Sequence, residues 1–225
     1  QILAKDDGWY EVRREDESTG WVAGWLLERN EPLDKITPLS ESTIVLDPGH
    51  GGSDSGAISN TGKFEKTYTL QLARRVAKTL RQSGARVIMT RDSDKIVYLS
   101  KIPQVAEKNH ADLFISFHFD SSPEANEASG YTAYYYHKTN GSKQLATALN
   151  KAMAPTMPLT NKGVDFGDFL VIRDNTVPAV LFENGYINSD TDFKQIKSVK
   201  TQEKIAKAIP IGLENYLDQR AKNAQ

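Results

Sequence analysis

Thr43-Ile44-Val45-Leu46-Asp47-Pro48-Gly49-His50-Gly51-Gly52 is a β-branched, apolar run that stops abruptly at Pro-Gly and gives way to a loop. The run predicts a buried strand. The loop presents His50 between glycines, which remove side-chain bulk and permit positive φ, so a large ligand, or a metal with its water, can approach the backbone there.

Outward from this stretch the sequence alternates strand and helix. Helices are expected over 65–82, where Leu70, Ala73, Ala77 and Leu80 share one face, over about 103–109, over 142–153, and over 201–218 with a kink or break at Pro210. Strands are expected over 86–90, 113–117, 131–136, 169–172 and 180–182. Such alternation implies an α/β fold, a mostly parallel twisted sheet with helices on both faces, spanning 43–219 and followed by a short tail, 220–225.

Residues 1–29 read differently. Ile2-Leu3-Ala4, Gly8-Trp9-Tyr10-Glu11-Val12-Arg13 and Gly20-Trp21-Val22-Ala23-Gly24-Trp25-Leu26-Leu27 suit short strands of a small barrel and hold all three tryptophans of the chain. This segment resembles the second half of a bacterial SH3-like (SH3b) domain, which implies an incomplete barrel whose first strands lie upstream of Gln1. Core packing is the simplest role for its tryptophans. Residues 30–42, with Asn30, Pro32 and Pro38, read as a linker.

Composition narrows the function. The 225 residues are 39% hydrophobic and 25% charged, values of a globular chain. Lysine plus arginine, 28, nearly balances aspartate plus glutamate, 29, which argues against a polyanion-binding surface and so against nucleic acid as a partner. A net charge near zero fits a monomeric catalytic domain. No apolar run approaches the roughly 20 residues that span a bilayer. Gln1 is not an initiator methionine, so the expectation is a processed or excised piece, with any membrane anchor upstream of it. Cysteine is absent, so a metal would have to be held by histidine and carboxylate.

Three polar residues directly follow strands: His50, His118 after 113–117, and Glu183 after 180–182. Glu65 opens the helix that ends the loop after His50. In open α/β sheets ligands bind beyond the carboxyl ends of the strands, so these side chains can share one crevice. Two histidines and a carboxylate are a usual protein set for catalytic zinc, with a second carboxylate free to act as base. Read from the residues alone, the set fits a metal site or a group of hydrogen-bonded structural residues. The other two histidines, His110 and His137, are expected to face solvent.

Val45-Leu46-Asp47-Pro48-Gly49-His50-Gly51-Gly52, Glu65-Lys66, Ala111-Asp112-Leu113-Phe114-Ile115-Ser116-Phe117-His118 and Pro178-Ala179-Val180-Leu181-Phe182-Glu183-Asn184-Gly185-Tyr186-Ile187-Asn188 occur in the order of the zinc-dependent N-acetylmuramoyl-L-alanine amidases (the amidase_3 family), which this chain resembles from Thr43 to Leu217. The resemblance implies zinc held by His50, Glu65 and His118, and Glu183 as general acid/base. The implied reaction is hydrolysis, by zinc-activated water, of the amide between N-acetylmuramic acid and L-alanine of the peptidoglycan stem peptide. An SH3b-like segment beside such a domain fits an enzyme of the extracellular cell wall or cell surface of a Gram-positive bacterium.

The chain departs from that pattern in places. Phe119 and Asp120 stand where a small residue and Asn usually follow the second histidine, and Ile102, Glu107 and Thr69 replace the usual Arg, Asn and Asn. Phe119 and Asp120 are therefore candidate substrate or supporting residues, as is Asn184 beside Glu183, with Phe119 expected to narrow the groove. The changes fit ordinary drift within a subfamily with substrate-specific contacts, or an enzyme that is weak alone and is activated by a membrane protein. The alternatives are a peptidoglycan-binding scaffold with little turnover, and a zinc peptidase acting on the stem peptide.

Overall fold

The structure, a computed structural model, describes residues 1–6, 9–27 and 35–223. β1 (Ile2–Asp6), β2 (Trp9–Arg13) and β3 (Thr19–Ala23) form a three-stranded antiparallel sheet, and α1 (Gly24–Leu27) is a single helical turn where the strand was expected to continue. Trp9 and Trp25 meet edge to face at 5.5 Å, and Trp25 Nε1 donates to the Ser40 carbonyl, whereas Trp21 is exposed. Part of the expected linker lies outside the described residues. Of the rest, Leu39 and Ser40 are fully buried, so its end packs with the larger sheet.

That sheet is built by β4 (Thr43–Pro48), α2 (Glu65–Gln82), β5 (Arg86–Met89), α3 (Ile102–Lys108), β6 (Leu113–Asp120), β7 (Tyr131–Tyr135), α4 (Ser142–Met153), β8 (Asn161–Phe166), α5 (Leu170–Arg173), β9 (Ala179–Tyr186), α6 (Asp190–Ile196) and α7 (Val199–Asn223). Its six strands run in the order β5-β4-β6-β9-β7-β8. β5, β4, β6 and β9 are parallel, and β7 is antiparallel to β9, which makes the sheet mixed though mostly parallel. β4 is buried at every residue, as a central strand covered on both faces must be.

Alternation along the strands sorts residues between two cores. Ile44, Leu46, Leu113, Ile115, Phe117, Phe119, Val180 and Phe182 face the larger core, where α2, α4 and α7 contribute Leu72, Val76, Leu149, Ile209 and Leu213. Val45, Phe114, Leu181, Ile102 and Val171 form the other. On α2 the buried stripe is Thr69, Leu72, Ala73, Val76, Ala77 and Leu80, with Leu70 only half-buried.

Some elements differ from the sequence expectation. The run 169–172 is helical, not a strand: Phe169 accepts from the backbone N–H of Ile172 and Arg173 and closes the turn. β8 and α6 were not expected. The final helix runs to Asn223 through Pro210. β6 and β9 outrun their apolar cores, so His118, Phe119, Asp120, Glu183 and Asn184 are strand residues.

Candidate metal centre and active site

β4 ends in a chain reversal. His50 has φ of 63°, in the left-handed region that non-glycine residues rarely adopt, and Gly51 and Asp54 then bond each other through both backbone pairs. This tight loop returns the Asp54 side chain to the ring it follows, with His50 Nδ1 2.9 Å from Asp54 Oδ2. The other Asp54 oxygen accepts the N–H of Gly56 at 3.0 Å, so the carboxylate is held at both ends.

Glu65, the first residue of α2, is buried and lies between the two histidines. Its Oε2 is 3.1 Å from His50 Nε2, and its Oε1 is 3.1 Å from His118 Nδ1. Two backbone donors orient it: Ala57 N–H to Oε2 at 2.8 Å and Phe119 N–H to Oε1 at 2.9 Å. The His50 and His118 rings cross at 79° with centroids 4.8 Å apart. One ligand atom from each of His50, Glu65 and His118 falls within 4.8 Å of the others. Two half-buried imidazoles and a buried carboxylate, convergent, fit a divalent metal of the zinc type.

The electrostatics agree with such a site. Burial lowers the His50 pKa, but the Glu65 and Asp54 carboxylates outweigh it and raise it to about 9. Burial raises the Glu65 pKa, and the two histidines overcome that and hold it well below the usual carboxylate range. A cation is favoured at this point in the fold, whether proton or metal.

Glu183 stands directly across from His118 in the β6–β9 register. Its side chain is half-buried, and its Oε2 is inaccessible with no hydrogen-bond partner. Burial first, then the Glu65 and Asp120 charges, raise its pKa well above the ordinary value. An unpartnered buried carboxylate oxygen is costly, and an oxygen with high proton affinity suits a group that must take and return a proton.

Gly49, beside His50, has a different use from the one expected, and Gly56 shares it. A Cβ on Gly49 would lie 2.3 Å from His118 Nε2, and one on Gly56 would lie 2.5 Å from Glu65 Oε2 and 2.6 Å from His50 Cδ2. Their clearance is occupied by the chain's own candidate ligand side chains. The bulk of Phe119 is also elsewhere: its ring is 3% exposed and sits in the larger core, so it does not narrow the groove, and it reaches the site only through its N–H on Glu65. Asn184 is buried on that same face, donating to the His118 and Phe182 carbonyls, away from the site's open side. Asp120 is half-buried on the site's face, where its Oδ1 accepts the Ser121 N–H and its charge reaches Glu183. His110 is exposed as expected, whereas His137 is half-buried with Nε2 2.8 Å from the Arg173 carbonyl.

Two further residues support the site. Thr69 Oγ1 donates to the Gly49 carbonyl at 2.8 Å. Arg91, 1% exposed, donates to the carbonyls of Pro48, Gly49, Lys66 and Ser93 and to Thr69 Oγ1. Arg91 follows the apolar end of β5, the same pattern that marks His50 and His118, and was legible by that rule. Asp54 had only a weak signal, its place in a Gly/Ser/Asp turn.

Comparison with known proteins places this geometry among relatives. Residues 44–215 match the family described as N-acetylmuramoyl-L-alanine amidase. The chain is 40% identical over 224 residues to a Staphylococcus saprophyticus protein named "Probable cell wall amidase LytH", covering 96% of this chain and 74% of that one. A crystal structure of N-acetylmuramoyl-L-alanine amidase from Clostridium difficile 630 superposes with a TM-score of 0.76 at 31% identity, over 80% of this chain and 98% of that one. The CwlD amidase of Clostridioides difficile, solved in complex with the GerS lipoprotein, gives a TM-score of 0.75 at 28% identity, over 79% and 99% of the two chains.

Proposed function

The chain belongs to the N-acetylmuramoyl-L-alanine amidase family of peptidoglycan hydrolases, and from that premise we propose that His50, Glu65 and His118 hold zinc while Glu183 is the general acid/base. The observation that carries this reading is the convergence of those three ligand atoms beside a carboxylate with an unpartnered oxygen. When bound, zinc supplies Lewis-acid polarisation of the amide carbonyl and acidifies water.

Glu183 handles the proton. Its half-buried carboxylate accepts one from the attacking water as the C–O bond forms, and returns it to the alanine nitrogen as the C–N bond breaks. Asp54 fixes the His50 ring and keeps Nε2 directed at the centre, and the Phe119 and Ala57 N–H groups fix Glu65. The products are a glycan lactyl carboxylate and a stem peptide with a free L-alanine amine. The N-terminal sheet supports a partial SH3b segment, with 43–219 as the catalytic unit. The cell wall is the place of action, as the relatives' naming suggests. Among the described residues no helix is long and apolar enough to cross a membrane.

Metal analysis joined to mass spectrometry of digested muropeptides tests this. Purified protein should carry zinc and release stem peptides with a free L-alanine amine, and Glu183→Ala should keep the zinc and lose turnover. Loss of metal in that variant would overturn the assigned role of Glu183. A second reading, that a membrane-associated partner raises activity, draws support from the similarity to CwlD solved with a lipoprotein. Wall digestion by zinc-loaded protein with and without membrane extract decides it, and equal rates would rule it out.

A further inference from the structure

A cavity of about 300 Å³ opens beside the candidate metal centre, with the His50 and His118 rings on one wall. Its other walls include apolar Ile96, Tyr98, Leu99, Ile102 and Val171 and polar Asp54, Thr90 and Arg91. Ile102 and Val171 belong to the smaller core and form a fixed floor, whereas Tyr98 is 72% exposed and stands at the rim. Neither Glu183 nor Asp120 lines it. A volume near 300 Å³ is at the small end of ligand pockets, suited to one ring with its substituents rather than a length of polymer.

The sheet order gives the site a direction. From one edge it runs β5, β4, β6, β9, β7, β8, so the cavity lies on the β4–β5 side, the histidines next, then Glu183 and beyond it Tyr134 of β7. Glu183 protonates the leaving nitrogen, so that nitrogen and the peptide attached to it must lie on the Glu183 side of the reacting carbonyl. The acyl substituent then points the opposite way, toward the cavity. What lines each side agrees. The apolar part of the cavity lining and an exposed aromatic ring suit the acetyl and lactyl methyl groups and the C–H face of a pyranose, and the polar part suits its hydroxyls. On the other side Lys162 Nζ donates to the Tyr186 hydroxyl at 2.7 Å, with Tyr186 paired to Asp120 in register, a polar surface suited to a peptide with amides and carboxylates.

We propose that this cavity is the subsite for the N-acetylated sugar on the acyl side of the scissile amide. Substrate then lies across the strand ends with its glycan over β4 and β5 and its peptide over β9, β7 and β8. Tyr98 and Leu99 at the rim determine how well the sugar binds. The inference rests on the amidase reading of the same centre.

The test uses the full, zinc-loaded chain with N-acetylmuramic acid as probe, read by saturation-transfer NMR at its acetyl and lactyl methyl groups. Tyr98→Ala and Leu99→Glu change exposed side chains, and folding of each is checked by thermal unfolding. Saturation transfer should fall by about tenfold in both, and by about the same factor for kcat/KM on a muramoyl-peptide, while a lactoyl-peptide lacking the sugar is cleaved at the parental rate. Lys162→Met should leave the sugar signal unchanged. Methyl signals unchanged in both rim variants, or a loss caused by Lys162→Met instead, would overturn the subsite. Absence of hydrolysis by the unaltered protein would count against the enzymatic role of the centre, and the NMR comparison would still decide the sugar site.

Discussion

A Cβ placed on Gly49 would sit 2.2 Å from Cε1 of His118, so the glycine that follows β4 is where a ring from the neighbouring strand packs. The two residues lie far apart in sequence and are joined by the β4–β6 pairing, through which Gly49 N–H also bonds the Phe117 carbonyl at 3.1 Å. Gly49→Ala must therefore move the His118 ring. We expect a stability loss of about 1–3 kcal/mol from overpacking and roughly 10- to 100-fold weaker metal binding. Denaturant unfolding and a chelator competition read the two effects, and parental metal affinity in the variant would refute the constraint.

Asp54 is exposed, yet its carboxylate fixes the far nitrogen of His50. Removing it should cost little stability while weakening metal binding by roughly 10- to 100-fold, because the ring loses the group that sets its orientation and proton. Asp54→Asn, which keeps an acceptor oxygen, should fall between. Metal titration of the variants beside their unfolding curves separates ligand orientation from folding.

Glu183→Gln should lower turnover by roughly 100- to 10,000-fold and retain the metal. It should also stabilise the metal-free fold at neutral pH. Glu183 holds its proton more tightly in the folded chain than in the unfolded one, so above the ordinary value of 4.5 the unfolded state gains by ionising and stability falls. The gain from glutamine should therefore shrink toward pH 4. Unfolding midpoints of both proteins at pH 4 and pH 7 check this, and equal differences at the two pH values would contradict it.

Metal affinity should rise with pH. In the metal-free chain His50 is protonated below about 9, and that proton must leave before the nitrogen can bind a cation. Affinity should increase by about tenfold per pH unit, for one displaced proton, and level off near His50's value. The same proton stabilises the metal-free fold through Glu65. That contribution is complete below the ordinary value of 6.5 and is lost as pH rises through about 9. Calorimetric titration between pH 6.5 and 9 measures the slope, and a flat profile would remove His50 as the competing site.

Much of this was legible in the chain. The 65–82 and 142–153 helices match α2 and α4 because their apolar residues keep a helical period. The strands carrying His118 and Glu183 were found from their apolar cores and ended too early, since the pairing of β6 with β9 continues past the last apolar pair. Phe169-Leu170-Val171-Ile172 is too short for period to separate strand from helix, and the local backbone bonds decided it. β8, Asn161–Phe166, has few apolar residues and is an edge strand formed through its pairing with β7. α6 had a signal that was missed, Ser189 three residues before Asp192, where the Ser189 side chain caps the Asp192 N–H. Phe119 shows the limit on the site: its neighbourhood was right, but strand alternation places its ring on the opposite face of the sheet.

Arg91 joins three parts of the site that are separate in sequence: the turn carrying His50, the first turn of the helix that begins with Glu65, and the loop after β5. Its buried guanidinium bonds backbone carbonyls, so the link does not depend on the ligand side chains or on what they hold. The proposed metal cradle is thus held by contacts of the fold, and ion capture there should be a late, reversible event. Stripping and reloading of the same folded molecule should be able to turn the enzyme off and on without passing through an unfolded chain.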